Sequence, residues 1–474
     1  MRDNRVVGLF IPDDNPQRAE ITKAPSAEEL LANYKPQGAA QKIEAFDSSF
    51  DNLDKRTQRI DIGDLNIALL PKQTRGETVT VCMKFKSGDE KNLFGKSSLQ
   101  PVAAAMLTRG TKTMTRSEIE DRMTELKMAG SITNFTTTRK NLPAALELVF
   151  DAMHNSIMPQ DEFDQFKKQM QVMIESMRDK PDALAQNAIT QHFNTYPKGD
   201  PRHEYSLDES LEQLNRLTVD QVRAFYKEFG GTSRGEISIV GDFDPKAVEK
   251  IIRDDYAKYV SKAHYAPIVT EYRPVQATRV VIDTPDKENA TIVARSVFPI
   301  NDTSPDAPAL TVANWILGGG TGLSNRLIER LRQKEGLSYG AGSHVRIPAK
   351  GNNGIFVFRA IVAPQNMLQA EASARDVIAK AIKDGFTDQE VEEAKKGLLQ
   401  AMQVARSQDD VVARSWNDKM ENQRTWVFSK KQAEAISKLT TADVNAALRK
   451  YIKPDEITFV LAGDQKKAAQ KKQD

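Results

Sequence analysis

Most side chains in this sequence that could do acid–base, nucleophilic or metal chemistry stand alone. The five histidines, His154, His192, His203, His264 and His344, are scattered, and no two are three or four residues apart. Neither H-E-x-x-H nor its inverse occurs, so no helix presents two imidazoles on one face as a zinc site of that kind requires. Two serines, Ser233 and Ser338, are spelled G-x-S-x-G, but each follows helical text and leads into strand text, whereas a nucleophile elbow needs a strand before the serine and a helix after it, so no serine nucleophile has its turn. The single cysteine, Cys82, lies in the alternating run TVTVCMKF and reads as a buried strand thiol. The glycine run Gly318, Gly319, Gly320 and Gly322 could offer backbone amides to an anion. However, no Lys-Ser/Thr follows it and helical text precedes it, so neither nucleotide fingerprint is completed. It reads instead as a tight turn, or as a loop that a substrate backbone can approach closely.

What remains is RQKEGLSYGAGS, residues 332–343. A guanidinium and a phenol suit the recognition of carbonyl oxygens, and a tyrosine hydroxyl can donate a hydrogen bond to an oxyanion as it develops. Gly336, between Arg332 and Tyr339, is placed to end a helix, so the tyrosine falls on the following strand and can face the same cleft as the helix end. The same two residues also fit a helix-surface arginine and a half-buried strand tyrosine, and nothing local separates the readings.

The elements that must position them are legible in outline. Residues 1–50 mix Pro, Ala, Asn and Asp with short apolar runs and read as an extended arm. Strand text follows: QRIDIGDLNIALLPK, with Gly63-Asp64 as its turn, then TVTVCMKFKSGD, a hairpin signal. SEIEDRMTELKMAG and the long PQDEFDQFKKQMQVMIESMRDKPDALAQNAI are helical, with Pro159 near the start of the second and Met-rich faces suited to core packing. Residues 217–242 and 439–464 align without a gap, each a Thr-capped helix, a short turn and an apolar strand ending in Gly-Asp. Two copies of one fold are expected, at about 51–265 and 275–474, joined by HYAPIVTEYRPVQ. In the second copy, TRVVIDTP and ATIVARSVFPI are strands. Leu310, Ala313, Ile316 and Leu317 share a helix face, and Ser324 is placed to cap a helix carrying Leu327 and Leu331 one turn apart. Two strands and two helices follow, the later helix opening with the capping box Thr387-x-x-Glu390. Antiparallel-type strand pairs with helices packed on one face, used twice, make an α+β architecture.

Bulk properties exclude several partners. With 67 Lys plus Arg against 65 Asp plus Glu, the net charge of +2 argues against nucleic acid or an anionic membrane. The lysine pairs of the tail read as a solvated terminus. No stretch reaches the roughly 18 apolar residues of a membrane span, and the start, MRDNRVVGLF, carries no secretory h-region.

The run GGGTGLSNRLIERLRQKEGLSYGAGS closely resembles the C-terminal-half signature of the insulinase/pitrilysin family of zinc metallopeptidases, peptidase family M16. That family has four homologous α+β domains, of LuxS/metallohydrolase-like fold, in two halves that close around a peptide, and the internal repeat is what one half should show. Its catalytic half carries His-x-x-Glu-His just before a segment like MLTRGT, which occurs here at 106–111. Pro101 and Ala105 stand where the histidines would be and Ala104 where the glutamate base would be, so no zinc ligand or base is present there. Glu175, where the family places a further acidic ligand, then reads as a solvated helix residue.

The resemblance therefore implies the non-metal half. Tyr339 would hydrogen-bond the scissile carbonyl and Arg332 would bind the substrate backbone, with Gly318, Gly319 and Gly320 at the substrate. Zinc would be held by a partner half or subunit, with no cofactor in this chain and no activity of the chain alone. The arm resembles the connector between halves, so an excised half and a separate subunit are both open. A periplasmic setting is implied, cytoplasmic being the alternative. The competing expectation is a non-peptidase structural or assembly protein of the same fold.

Overall fold

The computed structural model describes Ser26, residues 44–256, Lys258, residues 260–320 and residues 325–470. These belong, Ser26 apart, to one compact unit, residues 43–474. Most of the expected arm at 1–50, together with Gly322 and the expected cap Ser324, lies outside the described residues.

Eleven strands among the described residues form two sheets. In the first, β1 (Gln58–Ile62), β2 (Asp64–Pro71), β3 (Thr78–Phe85), β4 (Ala129–Ser131), β5 (Asn134–Thr138) and β6 (Arg234–Gly241) lie in the order β1-β2-β6-β3-β5-β4. In the second, β7 (Arg279–Asp283), β8 (Ala290–Pro299), β9 (Ser338–Arg346), β10 (Asn353–Val362) and β11 (Thr458–Gly463) lie in the order β7-β11-β8-β10-β9. Apart from β1, the two orders are the same. Each sheet holds one parallel pair, β2 with β6 and β7 with β11, and its other pairs are antiparallel.

Local chemistry explains several elements. Gly63, at φ 58, closes the β1–β2 hairpin in the left-handed region that a glycine enters without penalty. β3 does not continue that hairpin, because β6 lies between β2 and β3. The long helical run at 159–189 is two helices, Gln160–Glu175 and Pro181–His192. Pro181 sits in the first turn of the second, where its missing N–H costs nothing, and it holds Lys180 extended at φ −89, ψ 123.

Each sheet packs one face against its own helices, giving two large apolar cores. The other faces are partly covered by exchange. Helix Pro181–His192, encoded in the first half, lays Ala185 and Ile189 on Val293, Val460 and Ala462 of the second sheet. Helix Asp409–Glu421, encoded in the second half, lays Val412, Ala413 and Trp416 on Ala68, Leu70, Cys82 and Val240 of the first. Asn417 of the latter helix accepts from Ser238 Oγ and donates to Cys82 O at 3.1 Å, so the buried amide is satisfied. This exchange is why residues 79–83 of β3 are buried on both faces although their sequence alternates. Burial also pushes the Cys82 thiol up to about 11, which keeps it protonated and unreactive.

Candidate functional site

The segment 325–346 is a helix, a tight turn and an edge strand. Asn325 caps the helix by accepting from Ile328 N at 2.9 Å. The helix begins as Arg326–Ile328 and widens to π-type hydrogen bonding over Glu329–Lys334. Leu327 and Leu331 are fully buried and hold it down, which leaves Arg332 exposed. Gly336, at φ 60, reverses the chain, and Leu337 N donates to Leu331 O at 2.8 Å to close the helix end.

β9 then starts with an irregularity. Gly340 pairs with Ile361 and Ser338 with Val362, so Tyr339 is an extra residue, a β-bulge. Bulges re-aim side chains and concentrate at sheet edges and next to sites, and β9 is the edge strand. The Ser338 hydroxyl stitches the bulge: it lies 2.8 Å from the carbonyl oxygens of both Gly340 and Ile361 and accepts from Gly340 N at 3.1 Å. Tyr339 is 79% exposed. Among the described residues neither Arg332 nor Tyr339 has a hydrogen-bond or ion-pair partner, and no bond joins them, so both polar groups are free to meet a ligand.

The glycines divide by role. Gly318 is buried, and a Cβ there would come 2.6 Å from Ser343 N and Oγ, so its missing side chain lets the π-turn Trp315–Gly319 lie against β9. At Gly319 the clash would be with Asn314 Nδ2 at 2.3 Å. Gly320 opens onto a cavity of 790 Å³ shared with Trp315, Arg326 and Glu390.

Helix Leu99–Met106 buries Val102, Ala103 and Met106 and turns Pro101 and Ala104 outward, with Ala105 half-buried. These side chains offer no metal ligand, and among the described residues no group of three or more His, Cys, Asp or Glu could hold a metal ion. Zinc does not fit here. Glu175 ends its helix exposed and pairs with Arg178 at 3.1 Å. His154, His192, His203 and His264 are engaged separately, for example His203 Nδ1 with Tyr196 O at 2.7 Å and His264 Nδ1 with Asp89 at 2.7 Å.

Reading the residues had missed the open face of the second sheet. On β10, Phe356, Phe358, Ala360 and Val362 are fully buried toward the helices, whereas Arg359 and Ile361 are exposed on the other side. The signal is present in ATIVARSVFPI, where Arg295 is the one charged residue of a largely apolar strand.

Comparison with known proteins bears on this geometry. Residues 216–398 match the family model described as peptidase M16 inactive domain. The peptidase M16 inactive domain from Pseudomonas fluorescens superimposes with a TM-score of 0.74 at 20% identity, covering 86% of this chain and 97% of that one. The periplasmic protease PqqL from Escherichia coli gives 0.61 at 13% identity, covering 94% of this chain and 49% of PqqL. At these identities the likeness is one of fold, and it bears out the α+β expectation.

In sequence, the chain is 24% identical over 261 residues to the uncharacterized zinc protease Rv2782c of Mycobacterium tuberculosis, covering 54% of this chain and 57% of the relative. It is 23% identical over 185 residues to the non-peptidase homolog YmxG of Helicobacter pylori, covering 38% of this chain and 41% of YmxG. The chain thus spans little more than half the length of the first curated relatives it matches. No helix among the described residues is long and apolar enough to cross a membrane.

Proposed function

We propose that this chain is the substrate-binding half or subunit of an M16 zinc metalloendopeptidase, with domains at about 51–265 and 275–474, working on unstructured peptides in a chamber. The observation that carries the reading is the free, exposed Tyr339 on its bulge, next in sequence to a helix end bearing a free Arg332. Tyr339 Oη–H would donate to the scissile carbonyl and strengthen that bond as negative charge develops on the oxygen. Arg332 would hold a neighbouring peptide carbonyl with its planar fork of donors. Zinc, held by a partner half, would supply the activated water, since Pro101, Ala104 and Ala105 supply no ligand. Gly320, at a cavity mouth, is the member of the glycine run best placed to meet substrate, while Gly318 serves packing. The periplasm suits this reading, because PqqL works there.

A second reading has one specific support, the similarity to a non-peptidase homolog: an assembly protein that keeps the fold without hydrolysis. The test is hydrolysis of a quenched, unstructured peptide by the chain alone, by a zinc-motif half from the same source, and by their mixture, with zinc assayed in each. Turnover appearing only in the mixture supports the peptidase reading. A mixture that stays inactive moves the weight to assembly.

A further inference from the structure

The open face of the second sheet floors a groove of 940 Å³. Strand register sets the floor in rows. Arg295, Val357 and His344 lie across β8, β10 and β9, and Val297, Ile355 and Arg346 form the next row. Asn353 stands one step further along β10, opposite Pro299. Phe193, just past helix Pro181–His192, stacks on the Arg295 guanidinium at 4.8 Å. On one wall the Tyr196 ring has Arg202 and Arg273 each at 4.2 Å.

Two floor groups are left incomplete. Arg295 Nε is buried without a hydrogen-bond partner, and among the described residues Arg295 makes no ion pair. Lys86 and Lys395, by contrast, are paired, with Glu236 and with Glu392 at 2.7 Å, while Lys419, which among the described residues also lacks an ion pair, rests on the Trp426 ring at 3.8 Å. A buried guanidinium N–H left without an acceptor is unfavourable unless a ligand answers it. Burial, together with Arg346, pulls the Arg295 pKa down against the opposing pull of Glu204. Asn353 Oδ1 is likewise buried with no donor. Apolar Val297 and Ile355 lie between the two. From Val357, beside Arg295, to Asn353 is four residues of strand, a span of about 13 Å at ~3.3 Å per residue. That length matches a short extended peptide lying along β10.

We propose that this groove is a peptide subsite in which Arg295, backed by Arg346, takes a single carboxylate and Asn353 accepts an N–H further along the same extended segment. It rests on the reading that the chain binds peptides and gives that reading a substrate chemistry. The exposed acids Glu204, Glu271 and Asp418 around the groove disfavour a polyanion and favour one carboxylate. The carboxylate belongs either to the peptide C-terminus or to an Asp or Glu side chain.

The test is fluorescence anisotropy with the purified full chain and labelled short unstructured peptides. One has an internal Glu and a free C-terminus, one is amidated, one has Glu replaced by Gln, and one has both changes. Removing the recognised carboxylate should weaken binding roughly tenfold or more. Loss on amidation assigns the C-terminus, and loss on the Glu-to-Gln change assigns a side chain. Arg295→Gln should bring all four peptides to one weak affinity. Arg346→Gln, at an exposed side chain, should narrow the preference in part, and it decides the matter if Arg295→Gln does not fold by thermal melt. Equal binding of the four peptides, no measurable binding, or a preference that survives these substitutions overturns the proposal. Because the assay needs neither zinc nor a partner, a carboxylate preference without turnover in the mixed halves would sink the peptidase reading and leave the subsite standing.

Discussion

Two helix–turn–strand units occupy equivalent places in the two sheets, and only one presents a reactive side chain. In the first, helix Arg116–Glu125 ends, Lys127 takes φ 53, and Met128 N donates to Met123 O at 2.8 Å. β4 then runs Ala129–Ser131 in unbroken register. In the second, Gly336 takes φ 60, Leu337 N donates to Leu331 O at 2.8 Å, and the longer β9 carries its bulge. Three residues past the turn stand Gly130 and Tyr339. A Cβ at Gly130 would meet Asn134 O at 2.3 Å, so the first unit has no room for a side chain where the second releases one. The fold delivers a strand start to this place twice, and local register decides whether a side chain becomes available there.

The largest expected effect sharpens that contrast. Tyr339→Phe removes only a hydroxyl from an exposed ring, so kcat/KM of the reconstituted two-half enzyme should fall by about a hundredfold or more. Unfolding free energy should stay within about 0.5 kcal/mol. Arg332→Gln should lower kcat/KM by less, also without loss of stability. A melt that drops with either substitution would mean that the residue is structural, and the contrast with Gly130 would lose its functional meaning.

The glycines next to β9 test the same boundary in the opposite direction. Gly318→Ala forces a methyl against Ser343 and Leu327 and should cost about 1–3 kcal/mol by urea unfolding. Gly340→Ala, in the bulge, meets no heavy atom within 4 Å and should leave stability nearly unchanged. Equal costs would show that the bulge is as tightly packed as the turn behind it. The exchanged helices predict a comparable but separate loss. Asn417→Ala strands the Ser238 hydroxyl and the Cys82 carbonyl beneath Trp416, for about 1–3 kcal/mol in the same measurement.

Features encoded within a few residues were legible in the sequence. The Thr387 capping box, the buried Leu327–Leu331 pair, the helix stop at Gly336 and the Gly-Asp-ended strands β6 and β11 all follow from local spacing. Arg332 and Tyr339 could be singled out by type and spacing, but the bulge that frees the tyrosine could not, because it depends on how β10 aligns with β9. The helix exchange was hidden for the same reason: Ala185 and Ile189 find their partners on β8 and β11, more than a hundred residues along the chain. Their apolar face was visible, and the sheet it covers was not. The unpaired state of Arg295 likewise becomes apparent only when Phe193 closes over it.

The smallest effect concerns the helices that follow β6 and β11. The first, Pro245–Tyr256, ends with Asp255 buried, its Oδ2 accepting from Thr232 Oγ1 at 3.1 Å and its Oδ1 lying 3.3 Å from His154 Nδ1. Burial pushes the Asp255 carboxyl up to about 6 from an ordinary value of 3.8, and burial also lowers the pKa of His154, so the imidazole brings little charge to offset it. A carboxyl with a raised folded-state pKa holds its proton more tightly in the native state. Its contribution to stability is therefore complete below its unfolded pKa and is lost as pH rises through about 6. Asp255→Asn keeps an acceptor for Thr232 and removes the titration. The variant should melt a few degrees above the parent at pH 7 to 8, the difference shrinking as pH falls and vanishing near pH 4. A difference independent of pH would mean that the Asn acts through packing, and the first half would then lose the titrating element that distinguishes it from the second.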